Sequence, residues 1–304
     1  MKEILKIESI DQIHKLLGDS KPTHPLMTIV DVAKLATFDT PGHIKYQTDF
    51  YTIALKIGGE CEVRYGRKSY DFTEGSLVFT RPGQVSEIES DGTGNKPTGW
   101  ILCFHEDLIR GTDLADKMSR FTYFDYSNNE ALHLSQKEKV TITSIVSIIE
   151  GELTMNLDVY SNNLILSNLE TLLNYCERFY GRQFITRRAV IQDSIIQFEK
   201  VLSDRLKDDV LEDQGIPTVA ELAETIGYST NYLSDMVMKE TGRRPLDHIH
   251  EAIIRKAKNL LLGTEDTIAN IAYILGYTYP EHFSKFFKKK VGMSPQKFRK
   301  EQVS

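Results

Sequence analysis

The chain has 304 residues, 40% hydrophobic and 26% charged, with a formal net charge of −6 and three cysteines. That mixture supports full cores in about two domains of ordinary size. It argues against a membrane-spanning chain, since no apolar run approaches the roughly 20 residues a bilayer demands. A disulfide or zinc framework is equally poor, because Cys61, Cys103 and Cys176 fall in no CxxC or Cys/His cluster. The first 17 residues lack the apolar block of a signal peptide, and a cytoplasmic protein is expected.

The average charge hides a split. Residues 1–185 carry 19 Lys and Arg against 26 Asp and Glu, whereas residues 186–304 carry 18 against 17. Within 282–300 there are seven Lys or Arg and no acid. A local basic patch governs phosphate contact more than the net charge does, although such a run is also what a solvated helix face looks like.

In chain order, the first signal is strand-like. The runs DFYTIALKI (49–57), ECEVRY (60–65), SLVFTR (76–81) and TGWILCF (98–104) are β-branched and aromatic, and Gly or Pro turns cut them. No crossover helix separates them, so a small sandwich or barrel is expected rather than a parallel sheet. The segment DGTGNKPTG (91–99) reads as a loop. Two helices follow. Ser135 and Glu138 form a capping-box pair ahead of Ile142, Ile145, Val146 and Ile149. A second helix is expected over about 157–180, its apolar positions being Leu157, Tyr160, Leu164, Leu169, Leu172, Leu173 and Cys176. Gly181 supplies its stop. A partner subunit is the expected cover for that second helix, and 181–187 the expected linker.

The second half contains a repeat. VAELAETIGYSTNYLSDMVMKETGRRP (219–245) aligns with IANIAYILGYTYPEHFSKFFKKKVGMSP (268–295), matching Ala223 with Ala272, Gly227 with Gly276, Tyr228 with Tyr277, Ser234 with Ser284, Gly242 with Gly292 and Pro245 with Pro295. Each copy reads as helix–turn–helix, over 218–240 and 267–290. Thr218 and Glu221 form a capping box, Thr267 opens the matching helix, and Ser229 caps the next helix in copy one. Gly227 and Gly276 supply the positive φ of a sharp stop. Pro280 starts a helix without loss of a hydrogen bond. A connecting helix over 246–262 spans about 25 Å, which brings two recognition helices to roughly the 34 Å spacing of successive major grooves. The other reading of tandem helical hairpins is a protein–protein adaptor, which predicts no salt-dependent DNA affinity.

GYSTNYLSDMVMKETG (227–242) and the run from Ile268 to Arg299 closely resemble the AraC/XylS family of bacterial transcription regulators, over about 194–300. On FTRPGQ (79–84) and the strand spacing, the first half resembles the cupin-type sensory barrel of many members. The resemblance implies an α+β multidomain chain: a cupin-like β-barrel with an N-terminal arm (1–134), a helical dimerisation and linker region (135–186), and an all-α tandem helix–turn–helix domain (187–304). By motif position it implies DNA contacts at Thr230, Asn231, Ser234 and Asp235 in copy one, and at Tyr279, Pro280, Glu281, Ser284 and Lys285 in copy two. Lys288 and Lys289 would lie near phosphates, which position rather than specify. Asn231 suits adenine and Lys285 guanine or phosphate. Asp235 and Glu281 depart from the basic or amide residues common there.

The expected function is a sequence-specific transcription regulator of the activator type, with double-stranded promoter DNA as partner, a small-molecule effector, a homodimer through helices in 135–180, and RNA polymerase as a further contact. The alternative is a cupin-type enzyme or ligand-binding module fused to tandem helix–turn–helix units. No HxH pair, GxSxG, Walker A or GxGxxG occurs, so no catalytic residue, cofactor or metal is assigned. His105-Glu106-Asp107 is expected to cap a helix. His43, Tyr65, Arg81, Trp100 and Phe104 are the candidate lining of an effector pocket.

Overall fold

A computed structural model describes residues 4–17, 21–35, 42–57, 63–65, 68–70, 75–90, 98–127, 130–155, 158, 160–186 and 188–303. The chain divides into two compact units, Met1–Thr186 and Arg187–Ser304.

The strands of the first unit are β1 Leu5–Ile7, β2 Met27–Asp31, β3 Gly42–Thr48, β4 Phe50–Ile57, β5 Val63–Tyr65, β6 Lys68–Tyr70, β7 Ser76–Thr80, β8 Val85–Ser90, β9 Thr98–His105 and β10 Leu132–His133. Among the described residues they form a five-stranded sheet in the order β10-β7-β4-β9-β2, a three-stranded sheet β1-β3-β8 and the hairpin β5-β6. The first half is β-rich and the long helices follow it, but among the described residues these sheets do not join into a closed barrel. Every pairing in the larger sheet is antiparallel, and β1 pairs β3 in parallel. Six of the ten described strands escape the sequence reading. β1, β6 and β10 are too short, at two or three residues, to give a periodic signal, and β2, β3 and β8 interleave polar residues with their apolar ones. The loop expected at 91–99 and Cys61 fall mostly or wholly outside the described residues.

Register assigns the two faces of the larger sheet, because residues paired across strands project to the same side. Leu77, Leu55 and Trp100 lie in one row, and Phe79, Ile53, Leu102 and Ile29 in the next. This face is covered by helices: Trp100 Nε1 donates to Thr143 Oγ1 at 3.4 Å, and Phe79 packs on Tyr123 and Tyr180 at 4.6 and 5.9 Å. The opposite face carries Thr28, Cys103, Thr52 and Thr80 across four strands, with Ala54, Val78 and Ile101 beside them. Helix α1 (Ile10–Leu17) packs on one end of it, placing Ile10 and Ile13 against Phe50, Cys103 and Ile101. His14 Nε2 and Thr28 Oγ1 are 2.9 Å apart there.

Short helices α2 (Val32–Leu35), α3 (Glu106–Ile109) and α4 (Asp113–Lys117) precede two long ones, α5 (Gln136–Thr154) and α6 (Ser161–Thr186). His105 caps α3 by accepting from the Asp107 amide at 3.1 Å. The Ser135–Glu138 capping box opens α5 as expected. The second helix departs from expectation in three ways. It begins at Ser161, Tyr160 and Leu164 face solvent, and Leu157 lies outside the described residues. It also runs straight through Gly181, because tertiary bonds hold the turns beyond. Gln183 accepts from the His133 amide at 2.8 Å and donates to the Ala131 carbonyl at 3.2 Å. Arg182 donates to the His133 carbonyl at 2.7 Å and forms a two-point pair with Glu138 at 3.0 and 2.8 Å. Tyr180 donates to the Glu130 carbonyl at 3.2 Å. Those bonds outweigh the roughly 1 kcal/mol that an internal glycine costs a helix. Finally, Leu169, Leu172, Leu173 and Cys176 are fully buried within their own unit, where α6 packs along α5, so these four are covered without a partner subunit.

The second unit is all helix: α7 Arg188–Arg205, α8 Asp208–Gln214, α9 Val219–Ile226, α10 Thr230–Thr241, α11 Pro245–Gly263, α12 Ile268–Ile274, α13 Pro280–Val291 and α14 Pro295–Val303. The repeat's punctuation is realised. The Thr218–Glu221 box opens α9, Ser229 accepts from the Tyr232 amide to open α10, and Thr267 accepts from the Asn270 amide to open α12. Pro245 and Pro280 occupy first-turn positions. Gly227, Gly242, Gly276 and Gly292 all have positive φ. In the second copy Ala257, Leu261, Ile271, Ala272, Leu275, Phe283 and Phe287 form one buried cluster across α11, α12 and α13. Arg299 closes its end: Nε donates to the Leu261 carbonyl at 2.9 Å and Nη1 to the Asp266 carbonyl at 2.7 Å. In the first copy α7 packs on α9, and Ser194 Oγ meets Tyr228 Oη at 2.9 Å.

Candidate nucleic-acid interface

In each copy the second helix exposes the same arc. On α10 the buried residues are Tyr232, Leu233, Met236 and Val237. At 100° per residue these leave Thr230, Asn231, Ser234, Asp235 and Met238 on the opposite side. On α13 Phe283 and Phe287 are buried, and the corresponding arc holds Pro280, Glu281, Ser284, Lys285 and Lys288. All the DNA-contact positions expected in the two helices therefore fall on these arcs or directly beside them, at Tyr279 and Lys289. Thr230, Tyr279, Glu281, Lys285, Lys288 and Lys289 are exposed, and Asn231, Ser234, Asp235, Pro280 and Ser284 half-buried. Ser234 donates back to the Thr230 carbonyl at 2.7 Å, which leaves its oxygen an acceptor. Among the described residues Lys285, Lys288 and Lys289 enter no ion pair.

The sequence reading missed two residues here. His282 is exposed in the first turn of α13, its ring 5.4 Å from that of Tyr279. Met238 lies on the α10 arc with 46% of its surface exposed. A hydrophobic residue in a helix is read as core, and only its angular position shows otherwise.

Behind α13, His250 of α11 packs against Phe286 with ring centroids 5.0 Å apart and the planes inclined at 57°, and its Nδ1 is buried without a hydrogen-bond partner. Burial lowers its pKa from the ordinary value of 6.5, Lys290 and Lys289 lower it further, and Asp247 opposes them. A histidine whose folded pKa is depressed stabilises the fold above its unfolded pKa, and that contribution is lost as pH falls through 6.5 toward the lower folded value. The stability of wild type relative to His250→Gln is therefore expected to fall as pH drops from above 6.5 to below it. Urea unfolding of both proteins across that range, followed by circular dichroism, checks this; a constant difference would refute it.

Three of the five effector-pocket candidates have described side chains, Arg81, Trp100 and Phe104. Trp100 and Phe104 are buried on the helix-covered face of the sheet, Phe104 stacking on Tyr51 at 5.1 Å. Arg81 is exposed and pairs with Asp125 at 2.8 Å. The side chains of His43 and Tyr65 lie outside the described residues. Sequence does not tell which face of a strand meets a cavity, and here the aromatic residues went to the helices. Cys103 and Cys176 are buried, and burial pushes the Cys103 thiol up to about 12 and that of Cys176 higher still, so neither is a nucleophile at neutral pH. Among the described residues no three His, Cys, Asp or Glu gather as metal ligands, and no helix is long and apolar enough to cross a membrane.

Comparison with known proteins gives the same two-part picture. A family model described as an AraC-like ligand binding domain matches residues 32–141, and one described as a helix-turn-helix domain matches residues 222–301. The uncharacterized HTH-type transcriptional regulator YfiF of Bacillus subtilis is 25% identical over 265 residues, covering 84% of this chain and 78% of its own. The HTH-type transcriptional activator RhaS of Escherichia coli (strain SE11) is 29% identical over 98 residues, covering 32% of this chain and 33% of its own. Apart from YfiF, the chain spans about a third of the length of the first curated relatives it matches. The C-terminal domain of the two-component response regulator yesN from Fusobacterium nucleatum is 29% identical, with a TM-score of 0.30, covering 33% of this chain and 96% of that one. The chain belongs to the AraC family of helix–turn–helix transcriptional regulators, its ligand-binding domain preceding its DNA-binding domain.

Proposed function

We propose that this protein binds promoter DNA sequence-specifically and activates transcription in response to a small molecule. The observation that carries the reading is the pair of equivalent exposed arcs on α10 and α13, joined by a 19-residue helix, α11, of about 28 Å. Two such arcs suit two successive major grooves on one face of a duplex, a site of about 15–20 base pairs per subunit. The contact set is Thr230, Asn231, Ser234 and Asp235 with Tyr279, Pro280, Glu281, Ser284, Lys285, Lys288 and Lys289. The likeness to the activator RhaS supports activation, with RNA polymerase as a further partner.

For the first half we infer a cupin-like arrangement in which the two sheets face one another. The effector then lies against the face bearing Thr28, Thr52 and Thr80, which α5 and α6 do not cover. Small hydroxyl-bearing residues among Ala54, Val78 and Ile101 suit a small polar molecule with some apolar surface. A homodimer through the 135–186 region would use its outward apolar residues, Val140, Ile148, Tyr160 and Leu164. The functional division runs 1–134, 135–186 and 187–304, and the protein acts in the cytoplasm, without catalysis.

The test is selection of DNA from a random pool by the full chain, with affinity followed against salt. One enriched motif and a steep salt slope are expected. Lys285→Ala should weaken binding to that motif more than Asp235→Ala does. No binding at low salt, with or without candidate effectors, would overturn the reading.

A further inference from the structure

The arcs of α10 and α13 are equivalent in position but opposite in chemistry. Thr230, Asn231, Ser234, Asp235 and Met238 carry one negative charge and no cation. Their counterparts carry Lys285 and Lys288 against Glu281; Lys289, matched by Lys239 in copy one, and Lys290, matched by Glu240, continue that helix, all four lysines of copy two being exposed. Two helices evolved for the same task from one repeat would be expected to keep the same phosphate-binding charges. Here Met238 stands at the position that Lys288 holds in copy two. A methionine cannot neutralise a phosphate, and with 46% of its surface exposed it is not a core residue. Its flexible thioether chain is suited to apolar surface, and in a major groove the apolar surface is the thymine C5-methyl. Asn231 and Asp235 complete a set that matches base-edge chemistry without attracting the backbone: an amide for adenine and an acceptor for the cytosine amino group.

We infer that the two helix–turn–helix units divide the work of recognition, the second supplying phosphate-driven affinity and the first supplying discrimination, with Met238 contacting a thymine methyl group. This rests on the DNA-binding reading above. The second unit then sets how tightly the protein holds any DNA, and the first sets which DNA it prefers. Asp235 is tolerable under this arrangement because α13 and its lysines carry the electrostatic load; in a helix that had to dock by charge it would repel the backbone.

The experiment uses the full chain and the motif selected from the random pool. The triple variant Lys285→Ala, Lys288→Ala, Lys289→Ala is expected to flatten the plot of log affinity against log salt by about 0.9 for each phosphate no longer neutralised, while the bases preferred in the α10 half-site stay the same. Met238→Ala is expected to leave the slope unchanged and to relax one position of that half-site. At that position uracil in place of thymine removes only the methyl group. It should weaken wild-type binding by about three- to tenfold, the worth of one buried methyl, and leave Met238→Ala unaffected. Met238→Leu should keep most of the discrimination. Circular dichroism of each variant verifies that it is folded. If uracil is neutral for wild type at every thymine of the half-site, or if Met238→Lys tightens binding to all sequences and steepens the salt slope, Met238 faces the backbone and the inference is overturned. If wild type binds but enriches no motif, sequence-specific recognition fails, and with it the division of labour. If wild type does not bind at all, the DNA-binding reading itself falls.

Discussion

Gly276→Ala is expected to destabilise the second unit by about 2–5 kcal/mol, and Gly227→Ala by only about 1 kcal/mol. Both glycines have positive φ, +80° and +89°, and placing a Cβ in that region costs roughly 1–2 kcal/mol. Their surroundings differ. A Cβ on Gly227 would meet nothing within 4 Å, whereas on Gly276 it would lie 2.8 Å from the Leu211 carbonyl oxygen, 2.9 Å from Gly215 Cα and 3.0 Å from Gly215 C. These are backbone atoms at the end of α8, which cannot rotate aside, so overpacking of roughly 1–3 kcal/mol adds to the conformational cost. Trp100, the chain's single tryptophan, lies in the first unit. Urea unfolding by circular dichroism should therefore move for Gly276→Ala while tryptophan fluorescence does not. Equal destabilisation by the two substitutions would contradict the close approach.

Arg299→Ala is expected to cost about 3 kcal/mol, and Arg299→Lys to recover less than half of that. The guanidinium bridges carbonyls of Leu261 and Asp266, tying α14 to the end of α11 and to the loop that precedes α12. Hydrogen bonds from a charged donor contribute roughly 1.5–3 kcal/mol each, and their removal strands two acceptors. An ammonium on a flexible stem cannot reproduce the fixed fork that reaches both. Thermal or urea unfolding of the two variants measures the loss. A fall for Arg299→Ala within about 0.5 kcal/mol, the range of ordinary surface changes, would show that water replaces the bridge.

What could be read in the sequence was what is encoded locally. Caps at Ser135, Thr218 and Thr267, proline starts at Pro245 and Pro280, and glycine stops at Gly242 and Gly292 each act through bonds or backbone angles within a few residues. The repeat made them legible twice. What escaped depends on distant partners. Gly181 reads as a stop until Arg182 and Gln183 are seen to bind residues 44 to 52 positions away. Arg299 reaches carbonyls 33 and 38 residues upstream, for which no local signal exists. Trp100 and Phe104 were legible as strand residues but not as residues of one particular face, since period-two alternation is the same whichever side becomes buried. Gly227 and Gly276 look identical in the alignment, and only the neighbouring α8 separates them.

The bonding between the last turns of α6 and residues 130–133 has a mechanical consequence. Four hydrogen bonds join Tyr180, Arg182 and Gln183 to main-chain atoms of that segment, three donated by the helix side chains and one accepted from the His133 amide, and β10 in turn is the edge strand beside β7. Main-chain atoms do not swing aside as side chains do, so any slip of the edge strand must either break the grip or be followed by the helix. An α-helix is stiff along its length, and the strand's displacement would reach Thr186 with little loss. The end of the first unit is thus tied to the edge of the sheet: a displacement of β10 that keeps these bonds must carry the last turns of α6 with it.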